Sequence, residues 1–341
     1  MNDSIKILIS LILMTLVSQA KASYILVGSD TDASCDTSDL TQAVFDAPSG
    51  TTIYIANNQS YEGVSLTILS KSLTLIGGFL NCSSLAPTGR TVLGPGTSRA
   101  VNIALGGSTY DVELRNLEIT GVNGTGDGAG IRVNNRTRLE LHNTIIHGNT
   151  TTADGGGIWL NGAVNQRLIS HSPDNEIRDN TAAHGGGIYC DDSGSQLGHR
   201  TLIEWHAGWI ADNVATAGPP FGGGGGVYLF NCQMNLSAGG PDPQNHPGGV
   251  VGNEGRHGGG IYLRAESSLN LHANDLLGGF GVVEFNEAVD SGIGGGIRCH
   301  GVDWPELARA EFFIHAGRVS DNTANSGAAI QMERCDGLRS L

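Results

Sequence analysis

The residues nearest to hydrolytic chemistry are Cys190-Asp191-Asp192 and, seven residues on, Gly198-His199-Arg200. Two carboxylates about 5–9.5 Å apart can share the acid and base work of glycoside hydrolysis. Asp191, Asp192 and His199 are therefore the catalytic candidates. Both pieces fall within one segment, and a solvated acidic loop is the preferred reading of it. No Gly-x-Ser-x-Gly elbow, phosphate-binding loop or His-Glu-x-x-His motif accompanies them.

Two recurrent patterns could bind rather than catalyse. Histidine follows a short apolar segment at His142, His171, His206, His272 and His315, with Ser237 in the one intervening unit. Such a row could meet a metal or a sugar, but metal sites need convergent ligands rather than a spread line. A polar turn ladder is the reading adopted. Trp159, Tyr189, Tyr228 and Tyr262 each follow a Gly-Gly-Gly-(Ile/Val) unit by one position. If the Ile or Val points inward, the next residue points out. A stacked, exposed aromatic row of this kind reads either as plain β-propensity on an open face or as a surface on which sugar rings pack.

Charge and cysteine usage narrow the partners. The 341 residues carry a formal net charge of −14, and 52 of them are glycine. Met1–Ala22 has a short apolar run ending in Ala20-Lys21-Ala22, the pattern of a cleavable export signal. Its removal takes +1 from −14 and leaves −15, with Lys71 the sole lysine. Such a surface repels nucleic acid and anionic lipid, and would meet an acidic polysaccharide only through bridging calcium. Apart from that possible calcium no cofactor is expected. Six cysteines in an exported chain imply disulfides, and no zinc spacing is present.

The elements that position these residues are set by a repeat. Gly128-Ala129-Gly130-Ile131 recurs as Gly-Gly-Gly before Ile158, Ile188, Val227, Ile261 and Ile297, and as Gly-Ala-Ala before Ile330. The intervals are 27, 30, 39, 34, 36 and 33 residues, and an asparagine precedes six of the seven anchors: Asn149, Asn180, Asn213, Asn253, Asn286 and Asn322. The apolar segments are short and alternate, as in Arg138-Leu139-Glu140-Leu141, which means strands. Three strands of about five residues with their turns fill each interval, plus an outward loop. The fold class is therefore all-β, a parallel β-solenoid. Ile and Val form an internal ladder, Asn occupies a sharp turn in the left-handed region, and triple glycine allows close approach of coils. Thr37–Ala47 has helical apolar spacing, with Thr37 or Ser38 as its cap, and could cover the open end of the stack.

Asp39-Leu40-Thr41-Gln42-Ala43-Val44, the run Ala47–Ile55, Tyr61-Glu62 and Lys71–Gly78 together resemble the opening of right-handed parallel β-helix proteins such as pectate lyases and pectin esterases. Asn180-Thr181-Ala182-Ala183-His184-Gly185-Gly186-Gly187-Ile188 resembles the repeats of polymorphic outer membrane proteins and related adhesin passengers. The Asp-Asp and Gly-His pieces are similar to those of polygalacturonases, where they come from successive coils. The esterase likeness ends at the cap, because that family's groove motifs are absent. A C-terminal membrane barrel, which autotransporter-type relatives possess, is not legible before Leu341. These resemblances imply a right-handed β-helix with residues 1–22 as signal, 23–100 as cap and first coils, and 101–341 as Gly-rich repeats. They imply a secreted or surface, monomeric, adhesin-like protein that binds a polysaccharide or surface glycan without catalysis. The alternative is a lyase or hydrolase of pectin-like polyuronates.

The repeat also orders the cysteines. Cys190 and Cys299 lie two residues after their anchors, while Cys232 and Cys335 lie five after the next ones. Coils about 4.8 Å apart put such pairs within disulfide reach. The spacing predicts Cys190–Cys232 and Cys299–Cys335, leaving Cys35–Cys82 to staple the cap.

Overall fold

The computed structural model describes residues 24–336, apart from 105, 135, 163–164, 195–199, 219–221, 238–247, 275–278 and 302–309. The export-signal segment and His199 thus lie outside the described residues.

The chain winds as a stack of parallel strands in four sheets of eleven, nine, nine and six strands among the described residues. One coil shows the path. Val101–Ala104 lies in a nine-stranded anchor sheet, Tyr110–Arg115 in the eleven-stranded long sheet, and Leu117–Thr120 in a third sheet. Asn123–Gly124 adds a two-residue strand to a narrow fourth sheet, after which Ile131–Asn134 pairs back on Val101. The expectation of three strands per coil is therefore corrected to three plus this short fourth. Among the described residues every strand pairing is parallel except that of Ala273–Asn274 with Gly279–Glu284.

The anchors stack in register as foreseen: Ile131, Ile158, Ile188, Val227, Ile261, Ile297 and Ile330 are successive partners. With Leu139, Leu168, Ile203 and Leu269 from the long sheet and Ile146, Ile177 and Ile210 from the third, they form one continuous core. Glycine is required where coils touch. The first residue of each triplet takes positive φ, as at Gly155 (+69°). A Cβ on Gly157 would lie 2.6 Å from the Gly187 carbonyl oxygen and 2.7 Å from Ile177.

Asparagine departs from its expected place. The left-handed residue is the one before it, at Gly148, Asp179, Asp212, Gly252, Phe285 and Asp321. The asparagines themselves turn inward and form a ladder, five of the six fully buried. From Asn180 on, each Oδ1 accepts the backbone N–H and the Nδ2–H of the asparagine one coil back, at 2.9–3.1 Å, while Asn149 Oδ1 accepts the Val122 N–H. Each Nδ2 also donates to a third-sheet carbonyl, as Asn180 does to Ile146. The buried amides are thus satisfied along the whole stack.

Near the N-terminus a helix spans Leu40–Asp46, with Asp39 rather than Thr37 or Ser38 as its N-cap. The Asp39 side chain accepts the Gln42 N–H at 2.9 Å, and Leu40, Ala43 and Val44 are buried. Lys71 closes the other end, donating to the carbonyls of Val44, Phe45 and Ala47 at 3.1, 2.7 and 2.8 Å. A cation there also meets the negative end of the helix dipole. All three disulfides form with the pairing read from the repeat. Their Cα separations are 5.1 Å for Cys35–Cys82, 6.3 Å for Cys190–Cys232 and 6.2 Å for Cys299–Cys335.

Candidate functional site

The aromatic row lies on the outer side of the anchor sheet, in the register Trp159–Tyr189–Tyr228–Tyr262. Tyr189 and Tyr228 stack at 5.0 Å, and Tyr262 meets Tyr228 edge-on at 5.2 Å. Arg132 covers the Trp159 ring at 4.6 Å. The rings point away from the core, but they do not form the open platform the sequence suggested. Trp159, Tyr228 and Tyr262 are only 8, 3 and 1% exposed. The segments before the glycine triplets fold across them: His184 lies 5.4 Å from Tyr228, and Gly223 passes so near Tyr262 that a Cβ there would meet the ring. His184 is fixed there by Asp154 at 2.7 Å. Burial pushes the Tyr228 hydroxyl up to about 12, and raises Tyr189 and Tyr262 as well.

Of the catalytic candidates, Asp191 and Asp192 stand in different surroundings. Asp191 is a half-buried strand residue whose side chain accepts the Ser193 N–H at 2.9 Å. Asp192 is buried at 1% exposure, beneath Gly162, and accepts the Thr201 N–H. A carboxylate closed off in this way braces a turn and has no face for a substrate.

The open surface is the outer face of the long sheet. Its strands present three columns. The first includes Arg138, Arg167, Leu202, Gln233, Ser268 and Glu311, and the second includes Glu113, Glu140, Glu204, Asn235, Asn270 and Phe313. The third is the histidine row, placed at the strand ends as expected. His171 stacks on His206 at 5.1 Å and 13°, with His142 6.4 Å before it and His272 6.5 Å beyond. Ser237 fills the missing coil, its hydroxyl 3.0 Å from His206 Nδ1. Burial and then the neighbouring His171 hold the His206 imidazole below its ordinary pKa of 6.5.

A groove of about 420 Å³ crosses this face, lined by Arg167, Arg200, Gln233, Asn270, Glu311 and Phe313 among others. Its charges are balanced locally: Arg167 pairs with Glu204 at 3.3 Å and Arg200 with Glu266 at 3.2 Å. Amide and guanidinium groups along a groove can exchange hydrogen bonds with hydroxyls, and Phe313 offers an apolar face. The sequence showed the alternation that builds these columns but not which outer face stays open. Among the described residues, two groups gather metal-ligating atoms, Asp32–Cys35–Cys82 and Glu113–Glu140–His142. The first is spent, since its sulfurs are joined in a disulfide.

No helix among the described residues is long and apolar enough to cross a membrane. Comparison with protein-family models, curated proteins and solved structures finds no match to this chain.

Proposed function

We propose that the chain is an exported, right-handed β-helix that binds a polysaccharide along the outer face of its long sheet, without catalysis. One observation carries the reading: a polar, charge-balanced groove of about 420 Å³ that runs across successive coils. A polymer lying along the axis meets new side chains every ~4.8 Å, so weak contacts accumulate over its length. The net charge of −14 favours a neutral glycan over a polyuronate. Export fits the three disulfides. The Leu40–Asp46 helix acts as the cap that shields the first strand edges.

The test is retention of the purified protein on a panel of immobilised neutral and acidic polysaccharides. A neutral polymer should be bound, and Gln233→Ala with Asn270→Ala should weaken binding at least about tenfold at an unchanged unfolding midpoint. Retention on no polymer, or undiminished binding by the double variant, defeats the proposal. Release of unsaturated or reducing ends from pectin with calcium would favour the lyase or hydrolase alternative instead.

A further inference from the structure

Glu113 and Glu140 sit directly opposite each other on adjacent parallel strands of the long sheet, and His142 lies two residues beyond Glu140 on the same face. Like charges in that position repel. Each carboxylate is steadied by one guanidinium, Arg115 on Glu113 at 2.5 Å and Arg138 on Glu140 at 2.6 Å. His142 Nε2 then approaches both, 3.0 Å from Glu113 Oε1 and 3.4 Å from Glu140 Oε2. A ring nitrogen carries at most one hydrogen, so it can direct a straight hydrogen bond at only one of two such oxygens.

A metal ion would satisfy all three atoms together. Bonds of ~2.0–2.1 Å in a tetrahedral shell place neighbouring ligand atoms about 3.3 Å apart, and the two observed separations bracket that edge. The three donor atoms all lie within 4.8 Å of one another, and the side chains are 21, 22 and 28% exposed, so an ion can enter. A second observation is independent of this spacing. A cleft of about 220 Å³ opens beside Glu113 and Glu140, with Asp111 and Thr74 also in its wall. It has room for a water as fourth ligand, and Asp111 adds a negative charge that offsets the two arginines.

We propose that Glu113, Glu140 and His142 form a binding site for a divalent transition-metal cation of the Zn²⁺ class, its fourth position open to the cleft. One imidazole with two carboxylates suits zinc better than calcium, which takes oxygen ligands alone. Arg138 holds the Glu140 oxygen that faces away from His142, as outer partners of metal ligands do, while Arg115 contacts Glu113 at the same Oε1 that faces His142 and would share it with the ion. This site does not depend on the glycan reading.

Titration calorimetry of the whole purified protein with Zn²⁺ alone tests the site. One ion per chain should bind and raise the unfolding midpoint. His142→Ala and Glu113→Gln should each weaken binding at least about tenfold, whereas His272→Ala, far along the histidine column, should not. Co²⁺ in the unaltered protein should give the intense visible absorption of a four-coordinate ion, a readout that needs no variant to fold. Binding that survives in both His142→Ala and Glu113→Gln, or the absence of both stoichiometric Zn²⁺ and the Co²⁺ band, overturns the proposal.

Discussion

Asn180 and Asn213, 33 residues apart in sequence, share one oxygen: Asn213 Oδ1 accepts both the backbone N–H and the side-chain Nδ2–H of Asn180, at 3.1 and 3.0 Å. Neither residue has any exposed surface. Replacing Asn213 with Ala strands both of these donors and removes the Nδ2–H donated to the Ile177 carbonyl at 2.8 Å. Leaving a buried polar group unpaired costs about 1–3 kcal/mol. Asn213→Ala should therefore lower stability by about 2–4 kcal/mol in denaturant unfolding. Asn149→Ala, at the start of the ladder, should cost clearly less, since no asparagine stands one coil back and its Oδ1 accepts the Val122 N–H instead, at 3.1 Å. Equal losses at the two positions would show that the ladder does not act as a chain.

The two cysteines of the Cys190–Cys232 bond have no exposed surface, whereas Cys35 and Cys82 are half-buried near the cap. Under native conditions thiol reagents should open Cys35–Cys82 first and Cys190–Cys232 last, because exchange requires access to a sulfur. Mass-mapped alkylation after timed reduction reads the order. Removing Cys190–Cys232 by paired replacement with Ala should cost up to about 4 kcal/mol, since the bond closes a loop with a sequence separation of 42.

Much of the stack was legible because each repeat carries its own phase. Ile131 through Ile330 stand at one register position, so counting from them located Cys190 above Cys232 without any three-dimensional input. The asparagine position was misread for a physical reason. Asp179-Asn180, Asp212-Asn213 and Asp321-Asn322 each offer two residues that tolerate the left-handed region. Only the need to satisfy buried amides decides that Asp turns and Asn points inward. The aromatic row was read correctly for sheet and side but not for exposure. Alternation tells which side of a strand a ring takes, while its covering by His184 and Gly223 depends on loops whose path no period records.

Acid should weaken the fold through His206. Its folded pKa lies below the ordinary 6.5, chiefly through burial and secondarily through the stacked His171. Between the two values the unfolded chain binds more protons than the fold, so stability rises with pH there. The contribution is full above about pH 6.5 and is lost as pH falls toward the folded value. His300, also lowered by burial, acts in the same sense. The midpoint of thermal unfolding should fall between pH 7.5 and pH 5, and His206→Gln should flatten that slope. An identical slope in the variant would remove His206 from the account.

The last expectation separates packing from recognition on the anchor sheet. Tyr228 is 3% exposed, stacks on Tyr189, abuts Tyr262, and its hydroxyl accepts from Arg264 at 3.2 Å. Truncating such a ring leaves a cavity that closed neighbours on adjacent coils cannot fill, so Tyr228→Ala should cost about 3–5 kcal/mol. Tyr228→Phe keeps the stack and loses only the hydroxyl bond, about 1–2 kcal/mol. If the row were a sugar platform, the Ala variant would keep its stability and lose glycan affinity. The geometry requires the reverse: a large drop in the denaturation midpoint for Tyr228→Ala, and unaltered polysaccharide retention for Tyr228→Phe. Ring burial of this depth places Tyr228 among the residues that hold the coils together, and leaves the groove beside Gln233 and Asn270 as the face where binding is to be sought.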